Sequence, residues 1–139
     1  SLTKEVEESK RYRRPIAFLM MDLDRFKEIN DTYSHQTGDK ILKETAKLIK
    51  ENVRNADTVV RYGGDEFLVM MPETNGGVIN TIRRLKEKFA DWSKKSNLLN
   101  FPLTFSAGFS HWQPEQDRDI EDALKEADKK MYREKNDSY

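Results

Sequence analysis

No cysteine occurs in the 139 residues, which excludes disulfides and thiolate-held metal sites and makes a reducing, cytoplasmic setting the expectation. Net charge is missing too: 25 basic residues balance 25 acidic ones. That balance provides no global attraction to nucleic acid or to an acidic membrane, so any anionic ligand must be held by a local site. No apolar run approaches the roughly 20 residues of a membrane helix, and no signal-peptide pattern opens the chain. Glycine and proline, six and four, never gather into a linker, and there is no internal repeat. A single domain over residues 1–139 is expected, because that length suits one hydrophobic core. Leu2 and Val6 stand one helical turn apart at the very start, as in a domain excised from a longer regulated protein.

What is present is patterned. Residues 16–23, Ile-Ala-Phe-Leu-Met-Met-Asp-Leu, are nearly all apolar, as in a central strand buried on both faces. Asp24 is placed to cap a short helix through Tyr33. Thr37 is placed to cap a longer one, whose Ile41, Leu42, Thr45, Leu48, Ile49 and Val53 form a stripe. Thr58–Tyr62 and Glu66–Met71 read as two strands joined at Gly63-Gly64. Val78, Ile79, Ile82, Leu85 and Phe89 predict another helix, Leu103, Phe105, Ala107 and Phe109 a strand, and Ile120, Ala123, Leu124, Ala127 and Met131 a last helix. The order predicts an α/β sandwich, a mixed central sheet covered by helices.

Asp22 lies at the carboxyl end of the first strand, where open α/β sheets bind ligands. A carboxylate ending a run as apolar as Phe18–Met21 is desolvated and needs a compensating cation. Asp65 and Glu66 follow the diglycine turn. If the hairpin lies beside the first strand, Asp22 and Asp65 converge on one divalent ion, and two carboxylates plus phosphate oxygens suit Mg2+. Strand alternation would send Asp65 and Glu66 to opposite faces. Asp22-x-Asp24 also opens an EF-hand pattern, but Phe26, Lys27 and Tyr33 stand where that loop needs an oxygen ligand, a glycine and a glutamate, so that reading fails.

Arg61-Tyr-Gly-Gly-Asp-Glu-Phe67 is joined, at the expected separation, by Asp22-Leu-Asp-Arg-Phe-Lys-Glu-Ile-Asn30-Asp, His35 and Gly38-Asp39. Together they resemble the GGDEF family of diguanylate cyclases over almost the whole chain. The resemblance implies a fold like the palm of nucleotidyl cyclases and polymerases, and condensation of two GTP into cyclic di-GMP with pyrophosphate leaving, a bacterial signalling reaction. It implies Asp22 and Asp65 as side-chain ligands of Mg2+ or Mn2+, Leu23 as a backbone-carbonyl ligand, and Glu66 as the second acidic residue needed for activity. Either Asp65 or Glu66 takes up the proton. Asn30 and Asp39 match the pair that reads the guanine edge, and an amide plus a carboxylate suits its O6 acceptor and its N1–H and N2 donors. His35 matches a position near the ribose or base, with packing as the plainer alternative.

The amides of Arg25, Phe26 and Lys27 open a helix just after Asp22 and would cradle phosphate. Lys27 and Lys135 match phosphate-contacting lysines. Each domain would hold one GTP, so the resemblance implies catalysis by a homodimer. Arg54-Asn-Ala-Asp57 matches the family's Arg-x-x-Asp motif, at which cyclic di-GMP binds and inhibits. The plainer reading puts Arg54 in the last turn of a helix, favoured by the dipole there, and pairs it with Asp57.

Three departures stand out. Ser34 replaces a family glycine, which would strain the chain if that position has a positive φ. The family's N-terminal Leu-Thr-Gly-Leu-x-Asn-Arg turn is absent. After Lys135 the Gly-Arg-Asn continuation is also absent, and Tyr139 stands where a second phosphate-binding arginine belongs. The competing functions are a non-catalytic domain that binds GTP or cyclic di-GMP, and a palm acting on nucleic acid. The neutral charge balance offers the latter no strand-tracking groove.

Overall fold

A computed structural model of the chain describes residues 14–72 and 76–137, with Thr3, Lys4 and Glu7; Leu2, Val6 and Tyr139 lie outside the described residues. The elements in order are β1 (Ile16–Leu23), α1 (Phe26–Thr32), α2 (His35–Glu51), β2 (Thr58–Arg61), β3 (Glu66–Pro72), α3 (Val78–Ser96), β4 (Phe105–Trp112) and α4 (Ile120–Asp137). The strands form one sheet in the order β2-β3-β1-β4. The α/β architecture is as expected, but the sheet is not mixed among the described strands: all three pairings are antiparallel. β1 and β2, which α1 and α2 connect, do run in the same direction. β3 inserts between them, so they never become parallel neighbours.

β1 is buried along its whole length because both faces are covered. Ala17, Leu19, Met21 and Leu23 pack into a core with Ile29 of α1, Ile41 and Ile49 of α2, and Leu85 and Phe89 of α3. Ile16, Phe18 and Met20 point the other way, onto Ala123, Ala127 and Met131 of α4. Each large side chain buried completely, such as Phe18 or Phe89, contributes roughly 1.5–3 kcal/mol. The strand that carries the candidate site is therefore anchored on both of its faces. α4 lies close on β4 because Gly108 has no side chain: a Cβ there would run into the backbone of Ala127 and Met131.

The helix starts differ from expectation. Asp24 does not cap α1; the N-cap is Arg25, in the left-handed region at φ 61°, with no side-chain cap bond. Asp24 faces β4 instead, where two hydroxyls bind it. α2 begins before Thr37, with Ser34 as its cap: Ser34 Oγ accepts from the Thr37 amide at 3.0 Å. At φ 172° Ser34 is simply extended, so serine in place of the family's glycine brings no strain and supplies a cap. No described helix is long and apolar enough to cross a membrane.

Candidate active site

β1 ends in the middle of the sheet, with Asp22 opposite Glu66 on one side and Ser106 on the other. The diglycine turn is pinned against this strand end. The Leu23 amide donates to the Asp65 carbonyl at 3.1 Å. From the β2 side, the Arg61 guanidinium donates to the carbonyls of Gly63 at 3.3 Å and Gly64 at 2.7 Å. Asp22 and Asp65 thus come together, as expected, on a cleft of about 550 Å3 that Leu23, Arg25, Phe26, Lys27 and Lys135 also line.

Asp22 is 5% exposed, and its Oδ1 has no hydrogen-bond partner. Its Oδ2 pairs with Lys135 Nζ at 3.0 Å. The same ammonium donates to the Leu23 carbonyl at 3.2 Å and lies 3.8 Å from Asp24 Oδ1. Burial, and then the neighbouring Asp65, push the Asp22 carboxyl up to about 7 despite the opposing pull of Lys135. Glu66 is also held above the usual range, first by burial and then by the charges of Asp128 and Asp65. The expected split of Asp65 and Glu66 by strand alternation does not apply, because β3 begins at Glu66 and Asp65 belongs to the turn.

Among the described residues no three acidic or histidine side chains gather around one point. The donor set is two carboxylates and the Leu23 carbonyl, all oxygen, with one buried oxygen lacking a donor. Such a set fits a hard divalent cation that completes its shell with water and substrate oxygens rather than a closed protein cage. Asp24, two residues on, makes the contrast: it accepts from Thr104 Oγ1 and Ser106 Oγ, both at 2.7 Å, which occupies both of its oxygens. Sequence reading missed Thr104 and Ser106. The available signal was a serine inside the apolar run Phe105–Ala107.

The side chain of Asn30 is half-buried, with its Oδ1 against Gly38, where any Cβ would strike it. Gly38 thereby lets α1 and α2 close up and sets Asn30 next to the backbone that carries Asp39. Asp39 and His35 are exposed, which removes packing as the role of His35. None of the three lines the carboxylate cleft; Asp39 borders a separate hollow with Val59, Arg61 and Phe67. The Arg25 guanidinium is engaged by Glu28 at 2.7 and 2.8 Å and lies 3.7 Å above the Phe101 ring. Lys27 is exposed beside the cleft.

Arg54 and Asp57 are brought together at the other end of the sheet. Arg54 is not in a helical turn, since α2 stops at Glu51 and Asn52 forms its C-cap. Its guanidinium holds Asp57 Oδ1 at 2.8 Å and the Pro72 carbonyl at 2.6 Å, and its amide donates to Asp57 Oδ2 at 2.8 Å. The Asp57 side chain is wholly covered, while half of Arg54 remains exposed. Pro72 and Glu66 are the two ends of β3, so about 20 Å separates this pair from the cleft.

Comparison with known proteins follows the same lines. Residues 1–138 match the family described as diguanylate cyclase, GGDEF domain. The chain is 38% identical over 127 residues to diguanylate cyclase A of Treponema denticola, covering 88% of this chain and 33% of that protein. It is 34% identical over 131 residues to diguanylate cyclase DosC of Escherichia coli, covering 93% and 28%. It therefore spans a third or less of the length of these relatives. Its fold matches the active GGEEF domain of a diguanylate cyclase from Vibrio cholerae with a TM-score of 0.83 at 27% identity, covering 96% of this chain and 85% of that one. It matches the GGDEF domain of DgcB from Caulobacter crescentus in complex with c-di-GMP equally well, at 0.83 and 25% identity, covering 96% and 80%. With its signature turn pinned beside a buried strand-end aspartate and its sequence and fold matched almost end to end, the chain belongs to the GGDEF domain family.

Proposed function

We propose that the chain is the catalytic domain of a diguanylate cyclase that joins two GTP molecules into cyclic di-GMP. Each ribose 3′-hydroxyl oxygen bonds the α-phosphorus of the other GTP, and two pyrophosphates leave. The observation that carries this reading is the buried, unpartnered Asp22 Oδ1 beside Asp65 at the mouth of an open cleft. Mg2+ or Mn2+ held by Asp22, Asp65 and the Leu23 carbonyl would supply Lewis-acid help to the attacking hydroxyl and to the phosphate charge. Lys27, and the α1 amides that no side chain caps, orient the triphosphate. Asn30 and Asp39 read guanine, with His35 near the sugar. Glu66, whose proton affinity is raised by burial, or Asp65 beside it, accepts the proton of the hydroxyl. One cleft accommodates one nucleotide, so two copies face each other for the reaction. Cyclic di-GMP binds the exposed part of Arg54, which Asp57 orients, and inhibits from there.

The test is incubation of the purified chain with Mg2+ and GTP. Cyclic di-GMP is expected by chromatography, none from ATP, and none from GTP with Asp65→Asn. A parent chain that binds Mg2+ and GTP but makes no product is instead a non-catalytic binding domain.

A further inference from the structure

We propose that Lys135 is a built-in counter-ion, which occupies the cation's place at Asp22 in the metal-free domain and leaves when a divalent ion enters. This rests on the reading of Asp22 and Leu23 as cation ligands. The ammonium touches Asp22 Oδ2 at 3.0 Å and the Leu23 carbonyl at 3.2 Å, two of the three donors assigned to the ion. An ammonium offers three donors on a flexible stem, so it can satisfy a cation's ligands and withdraw from them. Lys135 is placed for both. It lies one turn beyond Met131, which fixes α4 on the sheet, and its side chain is 22% exposed against 7% for Asp22.

Asp24 provides the second seat. Its carboxylate stands 3.8 Å from Nζ and is held fast by Thr104 and Ser106, so it keeps the ammonium near when the first seat is taken. The ammonium takes up Asp22 Oδ2 and the Leu23 carbonyl, so an ion that uses the same carbonyl and carboxylate competes with it directly. The divalent ion takes the Leu23 carbonyl from Lys135, and the phosphates that arrive with a nucleotide receive the freed ammonium. Binding of metal alone is weakened, and binding of metal with nucleotide becomes cooperative. A lysine that served only as a phosphate contact would not move off Asp22 when the metal binds in the absence of nucleotide.

The test is a Mn2+ titration followed by electron paramagnetic resonance, without nucleotide, on the parent, Lys135→Met, Lys135→Arg and Asp22→Asn. Lys135→Met should bind Mn2+ on the order of tenfold more tightly than the parent, having lost its internal competitor. Lys135→Arg should stay near the parent, and Asp22→Asn should lose the site. Equal affinity in the parent and Lys135→Met would overturn the counter-ion while leaving the metal site standing. Unchanged binding in Asp22→Asn would remove the metal site and this proposal with it. Should Lys135→Met fail to fold, the side-chain 13Cε resonance of Lys135 in the parent answers the same question. It should move in step with Mg2+ binding, and an unmoved signal during saturation would overturn the proposal.

Discussion

The two ends of the sheet each bury a carboxylate against a basic side chain, and they are completed to different degrees. At the Pro72 end, both oxygens of Asp57 accept bonds from Arg54, whose guanidinium also reaches across to β3. At the Asp22 end one oxygen has Lys135 and the other has no donor. Leaving a buried polar group without a partner costs about 1–3 kcal/mol, more for a charged one. A fold retains that cost where a ligand later removes it. Asp57 is a finished ion pair that ties the loop after α2 to the end of β3. Asp22 is an unfinished one, and the difference separates architecture from site more sharply than residue type does.

Turnover should separate the two ends of the sheet most strongly. Asp22→Asn or Asp65→Asn should lower cyclic di-GMP formation roughly 100-fold or more, the scale of losing a group that stabilises transition-state charge. Asp57→Asn should leave the uninhibited rate within a small factor of the parent. Equal losses at both ends would erase the distinction. Stability should respond in the opposite sense. Asp57→Ala strands the Arg54 amide and frees the loop, and is expected to cost about 1–3 kcal/mol in urea denaturation with Mn2+ affinity unchanged.

Asp22→Asn should stabilise the metal-free protein at high pH, and the sign follows from linkage. The folded state keeps the Asp22 proton up to about 7, whereas the unfolded chain releases it near the ordinary 3.8. Stability from this group is therefore present at low pH and lost as pH rises through the folded value. Asparagine carries no such loss, so at pH 8 without metal Asp22→Asn should exceed the parent by up to about 4 kcal/mol, with the gap closing toward pH 4. A parent that gains stability over that range relative to the variant would contradict the burial argument. The smallest effect concerns Ser34. Ser34→Ala should cost about 1 kcal/mol through the lost cap, and Ser34→Gly only a few tenths. A stabilising Ser34→Gly would mean that the position is strained after all.

What was legible in the sequence was local. The apolar run of β1, the stripes of α2, α3 and α4 and the turn at Gly63-Gly64 follow from period and spacing, whereas the pairing of Asp22 with Asp65 came from the resemblance to the GGDEF family. What escaped depends on partners distant in sequence. Asp24 looked like a helix cap because its true partners, Thr104 and Ser106, come 80 and 82 residues later. Lys135 looked like a phosphate contact or a solvated surface lysine, because nothing local announces a carboxylate 113 positions earlier. The sheet looked mixed because helix-connected strands usually pair side by side, and only the insertion of β3 between β1 and β2 makes every ladder antiparallel. Arg54 looked helical because the C-cap at Asn52, whose side chain donates to the Leu48 carbonyl at 2.7 Å, carries no strong sequence mark. For Asn30 and Asp39, proposed to read the base, the sequence offered the residues but not the reason that Gly38 must stay bare between them.

On the function proposed above, the unpartnered oxygen of Asp22 belongs to a divalent-cation site. An anomalous difference map from crystals of the chain grown with Mn2+ tests it most directly. A peak is expected between Asp22, the Leu23 carbonyl and Asp65, with the Lys135 ammonium moved off Asp22. A bound Mn2+ found elsewhere, with Lys135 still on Asp22, would contradict it.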